Sequence, residues 1–143
     1  MESQGTSNSH TLNKHRYARS EFKHKRYASA RHHFLTALTN VCDVIDLFKE
    51  KDFTENKKAL SELLIPYLVQ KRRKIVVEED KVLSTKVDTI LFRAYLCVNG
   101  ANSPVLLAFL RSSNMCNVKD CEKALRAFSD TSKRWEALVE LYV

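Results

Sequence analysis

Two glycines and two prolines in 143 residues constrain this chain more than any other feature of its sequence. Tight hairpin turns draw on glycine for positive φ, so a many-stranded sandwich or barrel has little material to turn with. Helices need these residues only at their ends. The expected class is all-α. A chain of this length can bury a working core as one domain without staples. The four cysteines (Cys42, Cys97, Cys116, Cys121) are scattered. With no secretory signal at the start, they read as reduced, cytosolic thiols. No stretch approaches the roughly 18–20 apolar residues of a membrane span, so any membrane contact is expected to be peripheral.

Charge is unevenly placed. Residues 1–33 hold seven Lys/Arg (Lys14, Arg16, Arg19, Lys23, Lys25, Arg26, Arg31) against Glu2 and Glu21, which is +5 of the formal +7. The other 110 residues are left with +2, so the body has no general bias toward polyanions. Residues 1–11 are small, polar and without periodicity, and the segment 1–20 reads as a disordered polar and basic tail.

Order is expected to set in between Lys14 and Tyr27. Tyr27, Ala30, Phe34, Leu38, Val41, Ile45 and Phe48 recur at helical spacing, with a break at Thr39-Asn40, two residues that favour caps. A helix from Thr54 to about Lys74 turns Leu60, Leu63, Leu64, Tyr67 and Leu68 inward, with a kink or restart at Pro66, which lacks an amide donor. Residues 76–84 read as a connector. Val87, Ile90, Leu91, Ala94, Tyr95 and Val98 then share a face, closed by Asn99-Gly100. Ser103-Pro104 is an N-cap with proline at the first helical position, opening a helix to about Leu110. Asn117 with Asp120 resembles a capping box for a helix carrying Cys121, Ala124, Leu125 and Phe128. A further start at Asp130-Thr131-Ser132 leads to a last helix with Trp135, Leu138, Val139 and Tyr142.

Short helices joined by short turns imply antiparallel neighbours packed in series, an α-solenoid spanning 21–143. KRYASA (25–30) and KRWEAL (133–138) each set a large aromatic shortly before an alanine, as stacked helical hairpins require. A final helix with no polar capping repeat points to a segment of a longer array.

No glycine-rich phosphate loop, HExxH or GxSxG occurs, so no catalytic or cofactor-binding residue is expected. His15, His24, His32 and His33 lie among Lys and Arg without ligand-spaced partners, and Cys116 and Cys121 lack a second Cys/His pair, so no metal site is expected. Asp88-Thr89 read as cap residues near a helix start, their oxygens satisfying free amides. Lys71, Arg72, Arg73 and Lys74 form a candidate basic patch. With the 14–31 cluster, and Tyr17 and Tyr27 as stacking platforms, it offers a rival reading as a nucleic-acid- or anionic-lipid-binding protein. The opposing account is a solvated basic face that complements a helix dipole.

Several phrases resemble the vacuolar sorting protein 39 family, a tethering subunit of the HOPS complex, related to the CORVET subunit and the TGF-β receptor-associated protein. Val87-Asp88-Thr89-Ile90-Leu91 with Tyr95-Leu96 matches the family's Val/Ile-Asp-Thr phrase. Val105-Leu106-Leu107 with Leu110-Arg111 matches its short Leu-Arg helix. Cys116, Cys121 to Leu125, and Trp135, Leu138, Leu141 and Tyr142 match its cysteine turn and aromatic ending. Weaker likeness extends to ALSELLIPYLVQKR and HHFLTALTNVCDVIDLF, so the resemblance covers about 27–143 and is best over 83–143. Pro66 departs from the family, and residues 1–20 match nothing.

The resemblance implies a solenoid of the clathrin-repeat or TPR-like kind. It implies a non-catalytic scaffold, cytoplasmic and peripheral on late endosomes and lysosomes. Its partners would be other tethering subunits and, through the parent complex, a Rab-family GTPase. On this reading Trp135, Leu138 and Tyr142 are the candidate protein-interaction residues.

Overall fold

The computed structural model describes the backbone of residues 2–101, 103–127 and 135–142, and the side chains of these residues except 2–12, 135, 136 and 138. Every regular element among the described residues is helical. In order they are α1 (Glu2–Lys23), α2 (Tyr27–Thr36), α3 (Val41–Asp46), α4 (Asp52–Glu55), α5 (Lys57–Ala59), a π-helical turn (Leu60–Leu64), α6 (Ile65–Val77), α7 (Lys81–Asn99), α8 (Pro104–Arg111), α9 (Val118–Ala127) and α10 (Trp135–Tyr142). Compactness divides the chain into residues 1–67 and 68–143.

In the first unit α1 and α2 form an antiparallel hairpin. Three edge-to-face ring pairs rung it together: Phe22 with Tyr27, Tyr17 with His33, and His15 with Phe34. The segment whose composition reads as a tail thus has a helical backbone, and from Ala18 onward it contributes to the core. The hairpin turn closes with Lys25 in the left-handed region (φ 62°) and the Arg26 amide donating back to the Glu21 carbonyl at 2.9 Å.

Leu38 falls on the apolar stripe by its spacing, but it is 76% exposed. It ends α2 at φ 54°, and that left-handed step swings its side chain out while the Thr39 amide returns to the Phe34 carbonyl. The other six stripe residues are buried. Asn40 caps α3 by accepting the Cys42 amide at 2.9 Å, which makes the break anticipated at Thr39-Asn40.

The long helix expected from Thr54 is interrupted twice. Asn56 takes the Ala59 amide at 3.2 Å and opens a new start. Pro66 then produces its disturbance upstream, as a π turn in which the Ile65 amide reaches back to the Leu60 carbonyl. In an unbroken α-helix the Glu62 carbonyl would receive the amide of residue 66, and proline has none. Arg31 of α2 supplies the missing donor, with Nη1 at 2.9 Å from that carbonyl. Leu60, Leu63, Leu64, Tyr67 and Leu68 are fully buried, as their spacing predicts.

In the second unit the connector shrinks to residues 78–80, because Asp80 accepts the Leu83 amide at 3.0 Å and starts α7 at Lys81. Gly100 closes α7 at φ 95°. Ser103 caps α8 with Pro104 at its first position, and the Asn117 side chain accepts the Asp120 amide at the start of α9. Helices α8 and α9 both pack on α7, and α10 packs on α8 and α9. The helix start anticipated at Asp130-Thr131-Ser132, and Phe128, lie outside the described residues.

Buried Glu21 is held by Arg26, whose Nε and Nη2 donate to its two carboxylate oxygens at 2.7 and 2.8 Å. That hydrogen bonding keeps the Glu21 carboxyl below its ordinary value of 4.5. A depressed native pKa gives stability that is present above pH 4.5 and lost as pH falls through the lower native value. Glu21→Gln is therefore expected to be less stable than wild type at neutral pH. The gap should close below pH 4.5, as read by acid titration of helicity; a gap unchanged down to strongly acid pH would contradict the pairing.

Candidate functional site

The residues that stand out in the second unit converge on the middle of α7. Asp88 follows Val87 and precedes Leu91 and Phe92 on the buried side of that helix, and its side chain is only 3% exposed. An ionised carboxylate there costs several kcal/mol unless it is fully engaged. Arg72 of α6 donates to both oxygens, Nε to Oδ1 at 3.0 Å and Nη2 to Oδ2 at 3.3 Å. The Met115 amide donates to Oδ2 at 2.8 Å.

The same arginine donates to the Ser113 carbonyl at 3.2 Å and lies over the Phe109 ring, 5.1 Å from its centroid. One residue on, Thr89 Oγ1 accepts the Asn117 amide at 2.9 Å. Cys116 Sγ donates to the Asp88 carbonyl at 3.4 Å. Asp88 and Thr89 thus hold the loop of residues 112–117 between α8 and α9.

This corrects the reading of Asp88-Thr89 as caps near a helix start. Their oxygens do satisfy free amides, but those of Met115 and Asn117 across the fold, because α7 begins seven residues before Asp88. A carboxylate on an otherwise apolar helical stripe was the available signal, since such a group must be met by a cation and by donors. Arginine meets both demands with a rigid fork.

The candidate basic patch is correspondingly divided. Arg72 turns inward to Asp88, whereas Arg73 and Lys74 are exposed, Lys74 with Glu78 at 4.0 Å. Lys71 is half-buried, and burial lowers its pKa. The cation count of 71–74 therefore overstates the charge offered to a partner.

Cys116 of the loop and Cys121 of α9 are likewise structural. The Cys116 thiol and burial together push the Cys121 thiol far above its ordinary range, so it stays protonated. Among the described residues no group of three or more His, Cys, Asp or Glu could hold a metal ion.

An ion pair and a hydrogen bond tie α10 to α8 and α9. Arg111 of α8 donates to Glu140 at 2.9 Å, and the Tyr142 hydroxyl donates to Glu122 of α9. Tyr142 and then Arg126 lower the Glu122 pKa, and Tyr142 is raised in turn by Glu122. Ala137 is buried, while Val139 and Tyr142, three residues apart, are 58% and 63% exposed. Of the three candidate interaction residues, Tyr142 is thus at the surface. The side chains of Trp135 and Leu138 lie outside the described residues.

The Arg72–Asp88 contact predicts strong coupling. In a cycle of Arg72→Met, Asp88→Asn and the double variant, the coupling energy from denaturant unfolding should be roughly 1–3 kcal/mol. Additive single effects would show that the pair does not hold the loop.

No helix among the described residues is long and apolar enough to cross a membrane. Comparison with curated proteins and with solved structures gave no match. The family model described as vacuolar sorting protein 39 domain 1 matches residues 87–143, beginning at the residue before Asp88 and taking in the clamped loop and α8 to α10. Over residues 87–143 the chain is thus similar to vacuolar sorting protein 39 domain 1.

Proposed function

We propose that this chain is a non-catalytic scaffold segment of a membrane-tethering subunit in vacuolar sorting, working by protein–protein contact at late endosomes and lysosomes. The observation that carries the reading is the family match over 87–143, within which the Asp88-Thr89 phrase is spent on fixing a loop. The residues most suggestive of chemistry have structural duties: Asp88 binds Arg72 and an amide, and Cys116 donates to a carbonyl. That leaves surfaces as the means of action.

In this account the helices belong to an α-solenoid continued by the rest of a tethering subunit. The partners are other tethering subunits, of HOPS or CORVET type, with a Rab-family GTPase engaged through the parent complex. Membrane association is peripheral. The contact surface is the outer face of α10, where Val139 and Tyr142 are exposed, and Trp135 and Leu138 are the further candidate interaction residues. Apolar side chains on one helical face suit a groove or a neighbouring helix.

Affinity purification of the tagged chain from cells is expected to recover tethering subunits. The exposed-face pair Val139→Lys and Tyr142→Lys should cut recovery roughly tenfold or more, as loss of a central interface residue does. Recovery of nucleic acid and its binding proteins in place of tethering subunits would favour the basic-protein reading. Recovery indifferent to the α10 pair would place the contact elsewhere.

A further inference from the structure

A cleft of about 390 Å³ opens in the first unit, and none of its lining residues lies in the family-matched segment. Three lysines reach it from three separate places: Lys25 from the α1–α2 turn, Lys51 from the residue preceding α4, and Lys58 from α5. Lysines lining one concavity raise the local potential for an anion.

Two carboxylates, Asp52 and Glu55, line the same cleft, so its charged lining sums to +1. Asp52 is already engaged, with Oδ2 accepting the Lys49 amide at 2.7 Å and Oδ1 accepting Asn56 Nδ2 at 3.3 Å. Glu55 is the other acidic lining residue. Lys58 also lies 3.9 Å from Glu62, an exposed pair that contributes little and is easily exchanged for a stronger acceptor.

The wall of the cleft is built for an acceptor as well. Tyr27 lines it and is only 5% exposed. Its hydroxyl oxygen accepts Asn56 Nδ2 at 3.3 Å, which directs the phenolic proton toward some other acceptor. Asn56 is fixed in turn, since its Oδ1 caps α5 by taking the Ala59 amide. Lysine suits a phosphate as a mobile point charge, while the fixed hydroxyl of Tyr27 sets position.

We propose that this cleft binds a phosphomonoester dianion, Lys25, Lys51 and Lys58 supplying charge and the Tyr27 hydroxyl a fixed donor. The group could be carried by a small soluble phosphate or by an inositol-phosphate lipid headgroup, whose chemistry at the cleft is shared. The site is independent of the tethering assignment, because every residue in it precedes the matched segment.

The test titrates the whole chain with soluble inositol bisphosphate, following lysine side-chain and Tyr27 resonances. It is repeated with phosphatidylcholine vesicles containing a phosphatidylinositol monophosphate, and with charge-matched vesicles containing phosphatidylserine. At about fivefold per lysine, Lys25→Asn with Lys51→Ser should weaken binding about 25-fold. Asparagine is chosen at 25 because it tolerates the left-handed turn. Tyr27→Phe should weaken it about fivefold with charge and helicity unchanged. Arg73→Ser with Lys74→Ser, equal in charge and remote in sequence, should leave it intact.

Binding to both the soluble ligand and the inositol lipid supports the phosphate site. Binding to the inositol lipid alone supports it with a membrane source, provided the Lys25/Lys51 pair abolishes it. No binding to either probe overturns it, as does equal loss in the Arg73/Lys74 control or equal binding to phosphatidylserine vesicles.

Discussion

The second unit depends on one buried carboxylate. Asp88 sits where the period of α7 calls for an apolar side chain, and its desolvation must be offset by charge-assisted bonds, each worth roughly 1.5–3 kcal/mol in such settings. Three donors supply them, two from Arg72 and one from the Met115 amide. Because the third is a main-chain group, meeting the charge also fixes where residues 112–117 run. With that loop held, and Thr89 bonding the Asn117 amide beside it, α8 and α9 are both brought onto α7. Helix α10 then rests on α8 and α9. A glycine-poor chain has few other ways to specify a tight loop.

Arginine performs the same service in the first unit. Arg26 engages buried Glu21 with both arms of its fork, and Arg31 donates to the Glu62 carbonyl that Pro66 leaves without an amide. Three of the cations that make this sequence look basic are thus committed to internal acceptors. Lysine, a compact charge on a flexible stem, is left to face solvent and ligands. A basic sequence therefore need not present a basic surface, and the distinction depends on which cations carry a planar fork and which do not.

Much of the fold was legible because it depends on local chemistry. The all-helical class follows from glycine scarcity. The Asn40, Ser103 and Asn117 starts follow from side chains that accept nearby amides, and the Leu60 to Leu68 stripe from spacing. What failed to read depended on distant partners or on backbone strain. Leu38 has the character of a core residue and is thrown outward by a left-handed helix end. Asp88 and Thr89 look like caps because their partners lie 27 and 28 residues away. Arg72 looks like a patch residue because Asp88, 16 positions on, is not adjacent to it in the sequence. The vacuolar sorting resemblance was legible over 87–143, where the family model matches, since its phrases are short and in order.

Asp88 and Thr89 hold the 112–117 loop as firmly as a helix is held. Amide hydrogen exchange at Met115 and Asn117 measures this directly, because both amides lie in a segment with no regular structure yet have fixed acceptors. Protection comparable to that of the α7 interior is predicted in the wild type, with selective loss at Met115 in Asp88→Ala and at Asn117 in Thr89→Val. Exchange at the rate of an open loop in the wild type would contradict the claim.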